Sequence, residues 1–121
     1  MKQRHDSPRN YFLEHHQCVA DWAASGYTDH TALDAAAGPL EAWLNDYPAQ
    51  SDQILQLALG NCYSALGFRL YPVVEAMARI GLDAAFIRPE QSAGDTRTLA
   101  LLALLYAGAL LVQDRAAGCQ E

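Results

Sequence analysis

The chain has 121 residues, with eight Lys and Arg against 14 Asp and Glu and a formal net charge of −6. This length predicts one domain that buries a core without disulfides, and the acidic balance with scattered arginines excludes a basic nucleic-acid-binding surface. Val and Ile together number only seven, so the composition favours helix over strand. We expect residues 1–8 to form a disordered tail and residues 9–121 a single all-helical domain.

The first predicted element is an amphipathic helix that begins at Pro8 or Arg9 and ends at Ser25. Its apolar side chains recur every three or four residues, which places them on one face. Ser7 has the side chain of an N-cap, and Pro8 suits the first helical position. Gly26 suits the position after the C-cap, where the backbone turns left-handed.

The second predicted helix begins at Thr28 or Thr31 and reaches Tyr47. Gly38 and Pro39 interrupt it, because a proline nitrogen cannot donate a hydrogen bond to a carbonyl one turn earlier. The apolar spacing stays in phase across this interruption. We therefore predict one kinked helix rather than two separate helices.

Two further helices and their connections follow. The third helix is predicted from Ser51, its N-cap, to Leu66, with Gly67 after its C-cap. The fourth begins at Pro72 and is expected to stop at Gly81, with a short helical turn through "DAAFIR" and a loop after it.

The fifth predicted helix runs from about Thr96 to Arg115, with Asp95 as its N-cap. No segment of the chain shows the strict apolar–polar alternation of a half-buried strand. The predicted fold is therefore all-α: a compact five-helix bundle of antiparallel hairpins that ends in a hydrophobic helix.

This last helix contains the run "LALLALLYAGALLV", residues 99–112, which carries no charge. Fourteen residues are fewer than the roughly 20 that span a membrane, so a membrane anchor is the weakest interpretation. Small side chains line one arc, where a neighbouring helix is expected to approach, and larger ones line the other. The small arc contains Ala100, Ala103 and Ala107; the large arc contains Leu101, Leu102, Leu105 and Val112.

A helix that is apolar on all sides must be surrounded. If three of its large side chains stayed exposed, the loss would be roughly 5–8 kcal/mol, comparable to the whole stability of a small domain. Two interpretations remain open. Either this helix is the central rod of the fold, or another chain covers one of its sides.

His15 and Cys18 are the first candidates for chemistry, since residues three apart share a helix face and both could reach one metal ion. A zinc site needs three or four ligands, and no others stand at a suitable spacing. We therefore expect His15 to be a neutral, hydrogen-bonded core residue, with no metal and no cofactor bound. Cys62 lies mid-helix on an apolar face and is expected to act as a small buried hydrophobe. No catalytic motif is present, so we predict that the chain is not an enzyme.

Asn61, Tyr63 and Tyr71 are the candidates for binding a partner. Asn61 either bonds a loop carbonyl at the edge of the buried arc or faces a groove and grips a partner's backbone. Tyr63 points away from the apolar arc of its helix and Tyr71 stands at a helix entrance, where exposed tyrosines serve as anchors. The predicted partner-binding set is Asn61, Tyr63, Tyr71, Leu101, Leu102 and Leu105.

The segment "LGNCYSALGFRLYPVVEAMARIGLD", residues 59–83, resembles a tetratricopeptide-type helical hairpin. Gly60, Tyr63 and Gly67 occupy the spacing of that repeat's first helix, where small residues permit close packing. The likeness covers about a third of the chain and departs from the pattern after Gly67. In size, charge and helical content the chain is also similar to the small co-chaperones of type III secretion needle subunits. This resemblance implies a groove that holds an amphipathic helix of an export substrate.

The leading functional prediction is a protein-binding module that sequesters an amphipathic segment of another protein, as a secretion chaperone or adaptor does. The partner is another protein or a second subunit of the same chain, with no nucleic acid and no membrane span. Three cysteines and a polar, charged start without a signal peptide predict reduced thiols in the cytoplasm. One alternative is an immunity or inhibitor protein that occludes a toxin, and a second is a small thiol- or metal-dependent enzyme.

Overall fold

A computed structural model describes the backbone of residues 7–87 and 93–119 and the side chains of residues 7–87 and 97–115. Within these ranges the chain is helical, with no strand. The helices are α1 (Pro8–Ala24), α2 (His30–Ala35), α3 (Ala37–Asp46), α4 (Ser51–Gly67), α5 (Tyr71–Ile87) and α6 (Ala93–Cys119), and a 3-10 turn at Pro48–Gln50 precedes α4. The predicted all-α fold is confirmed, and its five helices are present when α2 and α3 are taken as the two halves of the kinked one.

The interruption between α2 and α3 falls at Ala36, close to the predicted kink. Ala36 keeps right-handed dihedral angles, φ −64° and ψ −19°, so the chain continues without a loop. Pro39 lies in the first turn of α3, where backbone N–H groups have no partner within the helix. The proline therefore breaks the hydrogen-bond ladder of the preceding helix and leaves that of α3 intact.

The two ends of α1 are as predicted. The Ser7 hydroxyl accepts a hydrogen bond from the Arg9 N–H at 3.2 Å, and Gly26 adopts a left-handed φ of +73°. The rest of the predicted tail lies outside the described residues. Helix α4 ends differently: the left-handed residue is Arg69, at φ +59°, while Gly67 is still helical. The prediction that Gly67 follows the C-cap is thus wrong by two residues.

Helix α5 passes Gly81 without a break and continues to Ile87, contrary to the predicted end at this glycine. Gly81 is buried where α6 packs on α5, and a Cβ there would come within 2.9 Å of Leu102 Cδ2. The glycine therefore permits close packing of two helices rather than ending one. The close packing expected at Gly60 and Gly67 is not found, because no neighbouring described atom lies within 4 Å of either Cβ position.

The core lies mainly between α4 and α5, which are joined by three residues and pack side by side, with α1 and α3 against them. Helix α6 packs mainly against α5, at the edge of this arrangement. Leu102 and Ala109 are its only fully buried residues among those whose side chains are described. The central-rod interpretation is therefore wrong. The helix also begins at Ala93, so Asp95 lies within it and is not its N-cap.

Candidate interaction surface

The two arcs of α6 face in the directions opposite to those predicted. Leu102 has no exposed surface, Leu105 is half-buried against the core, and Leu101 is half-buried. Ala100, Ala103 and Ala107 are all exposed. The physical reason is Gly81, which opens a space on α5 that a leucine fills. Leu102 is therefore taken up inside the subunit and cannot bind a partner in this fold.

An apolar groove of 290 Å³ lies between α6 and the start of α5, close to the end of α4. Its floor includes Val74 and Ala109, which are buried, and its rim includes exposed leucines and a valine. The groove is lined by Leu66, Tyr71, Val74, Leu104, Leu105, Gly108, Ala109 and Val112. Two members of the predicted partner-binding set, Tyr71 and Leu105, thus lie together in one groove.

The side of α6 that faces away from α5 forms a second apolar surface. Leu104 is 71% exposed and Leu111 is 57% exposed. We call this surface the outer face of α6; it consists of Arg97, Ala100, Leu104, Ala107, Leu111 and Asp114, with the exposed Arg115 beside Asp114 at its end. It shares Leu104 with the rim of the apolar groove. Sequence reasoning missed both leucines as binding candidates. Their seven-residue spacing could have identified them, because residues seven apart lie on the same side of a helix.

Asn61 is buried, and its amide Nδ2 donates a hydrogen bond to His15 Nε2 at 2.8 Å. The same nitrogen lies 3.7 Å from Met77 Sδ. The amide nitrogen of Asn61 thus bonds a side chain inside the subunit rather than a loop carbonyl. Tyr63 is exposed on α4, one turn before Leu66 at the rim of the groove.

His15 is a buried core residue, as predicted, with 3% of its surface exposed. Because Nε2 accepts from Asn61, the neutral ring carries its proton on Nδ1, which has no hydrogen-bond partner among the described residues. Burial lowers the pKa of His15, and the charge of His16 lowers it further. Protonation of His15 is therefore unfavourable in the folded state.

The two described cysteines are thiols with raised pKa values. Burial raises the pKa of Cys62 to about 12. Burial also raises the pKa of Cys18, and the carboxylates of Asp21 and Glu14 add to the effect. Since the thiolate is the nucleophile, neither sulfur is activated in this fold. Within the described residues, no three His, Cys, Asp or Glu side chains are grouped so that they could hold a metal ion.

Among the described residues, one helix, Arg97–Arg115, is long and apolar enough to cross a membrane by length and composition. This helix is tied to α5: Gln113 Nε2 donates to Glu75 Oε1 at 2.9 Å. Helix α5 also exposes Arg79 and Asp83. Insertion of α6 into a bilayer would detach it from α5 or bring these charges into the hydrocarbon region, which is costly.

Comparison with protein-family models, with curated protein sequences and with solved structures finds no match for this chain. A function for this chain is therefore inferred from the geometry of two surfaces, the apolar groove and the outer face of α6.

Proposed function

We propose that this protein is a binding module whose apolar groove holds an amphipathic helix of another protein. The single observation that carries this proposal is a continuous apolar lining beside exposed large side chains. Helices bind such grooves through apolar anchors spaced three, four and seven residues apart. Small-molecule sites have volumes of about 300–1,000 Å³. At 290 Å³ the groove is at the lower end of that range, a size that also suits individual apolar side chains of a partner helix.

The lining of the groove also defines the chemistry of the partner. No charged side chain lines it, and its most polar group is the Tyr71 hydroxyl. Apolar side chains of a partner would cover Leu104 above all, because this rim leucine exposes the most surface. Binding of this kind depends little on ionic strength, since salt screens charges and not apolar contacts. Salt dependence thus separates this proposal from the inhibitor alternative, in which an acidic surface meets a basic toxin.

The same proposal includes a cellular setting. The described cysteines, Cys18 and Cys62, are free thiols, a state that suits the cytoplasm. There the protein would sequester an apolar helix that otherwise aggregates, as a chaperone or adaptor. A secretion substrate is the specific form of partner that the sequence resemblance suggests.

Site-specific photo-crosslinking in the cells that naturally produce the protein tests this proposal. A benzophenone amino acid in place of Leu66 would stand at the rim of the groove and capture its occupant. The crosslinked segment of the partner is then synthesised and titrated against the purified chain. We expect an apolar helical segment whose affinity falls at least about tenfold for Val112→Asp and is unchanged for Leu13→Asp.

Leu13 is the matched control because it is a similarly exposed apolar residue on α1, away from the groove. Equal affinities for the two variants would refute the proposal. So would capture of a basic protein whose binding disappears at high salt, which would support the inhibitor alternative instead.

A further inference from the structure

The outer face of α6 has the residue spacing of a coiled-coil seam. Arg97, Leu104 and Leu111 recur every seven residues, and Ala100, Ala107 and Asp114 stand three residues after each of them. Such alternation of three and four residues keeps one stripe of a helix facing a partner helix. Leu102 and Ala109, which pack inside the subunit, lie on the opposite side of α6.

We propose that this face binds the same face of a second copy of the chain, with the two α6 helices antiparallel. If the twofold axis passes between Leu105 and Tyr106, every large side chain meets a small one. Leu104 lies opposite Ala107 of the second copy, and Leu111 lies opposite Ala100 of the second copy. A surface that is complementary to itself in this way is what a symmetric dimer requires.

The charges at the two ends of the face support the antiparallel direction. In this arrangement Arg97 lies opposite Asp114 of the second copy, and symmetry repeats the pair at the other end. A parallel arrangement would place arginine against arginine and aspartate against aspartate, which is unfavourable. It would also place leucine against leucine and alanine against alanine, which leaves gaps beside the small residues.

A second copy fits this face better than a bilayer does. The helix from Arg97 to Arg115 has the length and composition of a membrane span. Its uncharged part, Thr98 to Gln113, has sixteen residues and is about 24 Å long, against a hydrocarbon thickness of about 30 Å. The seam from Arg97 to Asp114 is about 27 Å long and about 10 Å wide, so each copy contributes roughly 300 Å². This area is below the roughly 800 Å² per partner of a standard interface. We therefore expect a weak dimer that dissociates on dilution.

Sedimentation equilibrium of the full chain over a range of concentrations measures this association. We expect a monomer–dimer equilibrium that Leu111→Asp abolishes. Arg97→Asp and Asp114→Arg should each weaken it about fivefold to tenfold at low salt, because each creates two like-charge contacts. The double variant should restore the affinity, since its charges are again opposite. Val112→Asp, which alters the apolar groove and not the outer face of α6, should leave dimerisation unchanged.

Disulfide trapping determines the direction of the two helices. In a background with Cys18→Ser and Cys119→Ser, a chain carrying Ala100→Cys is mixed with a chain carrying Leu111→Cys. We expect a crosslinked heterodimer on oxidation. Ala100→Cys alone should stay uncrosslinked, because its two copies would be separated by about 17 Å along the axis, beyond disulfide reach.

Several results would overturn the proposal. These are a monomer at every concentration, a dimer that Leu111→Asp does not affect, and self-crosslinking of Ala100→Cys. Binding of the chain to phosphatidylcholine vesicles without dimerisation in buffer would instead assign the face to a membrane. The two surfaces share Leu104, but Val112 lines only the groove and Leu111 lies only on the outer face of α6. Failure of the dimer and failure of the groove are therefore distinguishable.

Discussion

Helices α5 and α6 are both rich in apolar residues, yet α5 buries many more of its residues than α6 does. Eight residues of α5 are buried, whereas Leu102 and Ala109 alone are buried in the described side chains of α6. The difference comes from position, because α5 packs against α3, α4 and α6 while α6 packs mainly against α5. An apolar composition therefore indicates how much cover a helix needs, and the arrangement of its neighbours determines how much it receives.

Two leucine truncations should give the largest difference in stability between the covered and uncovered sides of α6. Leu102→Ala should reduce the free energy of unfolding by about 2–5 kcal/mol, because it leaves a cavity at the α5–α6 contact. Leu104→Ala should change it by less than about 0.5 kcal/mol, because that side chain is mostly exposed. Urea denaturation in dilute solution measures both. Equal losses would mean that α6 is covered on both sides.

A pair of glycine substitutions compares the contact surface of α5 with an open surface of α4. Gly81→Ala should destabilise the fold by about 1–3 kcal/mol, because the new methyl group overlaps Leu102 in a filled space. Gly60→Ala should stabilise it by up to about 1 kcal/mol, because alanine favours helix and the position is open. Thermal unfolding of the two variants checks the opposite signs. A stabilising Gly81→Ala would show that α6 is held loosely.

Acidification tests the other side of α5, where His15 and Asn61 pack near Met77. The folded-state pKa of His15 is lowered, so the unfolded chain binds the proton more readily. Stability should be full above pH 6.5, the ordinary value, and decrease as the pH falls below it. His15→Gln should flatten this part of the pH profile of unfolding. His16→Gln, at an exposed neighbour, should leave a clear slope, and loss of the slope there would assign it to His16 instead.

The smallest expected effect concerns the connection between α4 and α5. Arg69 stands in the left-handed region, where a residue with a Cβ is strained by about 1–2 kcal/mol. Leu70 N–H and Arg69 N–H close the end of α4 with hydrogen bonds to Ala65 O and Leu66 O, at 2.9 and 3.0 Å. Arg69→Gly should relieve the strain and, after the entropy of the unfolded glycine is included, stabilise the fold by about 0.5–1 kcal/mol. If Arg69→Gly lowered the free energy of unfolding in urea, the Arg69 side chain would make a contact that stabilises the fold by more than the backbone strain costs.

Much of the fold was predictable because local signals specify it. Ser7, Pro8 and Gly26 bound α1 with side chains and dihedral angles that few other residues supply as well. Pro39 located the interruption of the second helix for the same local reason. The buried, neutral state of His15 followed from its position on the apolar arc of α1. Each of these inferences needed only residues within a few positions of one another.

The candidate surfaces were less predictable, because they depend on which helices meet. Gly81 is a helix terminator by local rules, but in the fold it contacts Leu102 of α6, a residue about twenty positions later in the chain. That single contact turns Leu102 inward and leaves Ala100, Ala103 and Ala107 exposed. In the sequence alone, periodicity showed two apolar arcs on α6, and composition showed that the apolar side chains of these arcs exceeded the space in the core. Tertiary packing alone selected the arc that is covered, because burial is a relation between two surfaces and not a property of either one.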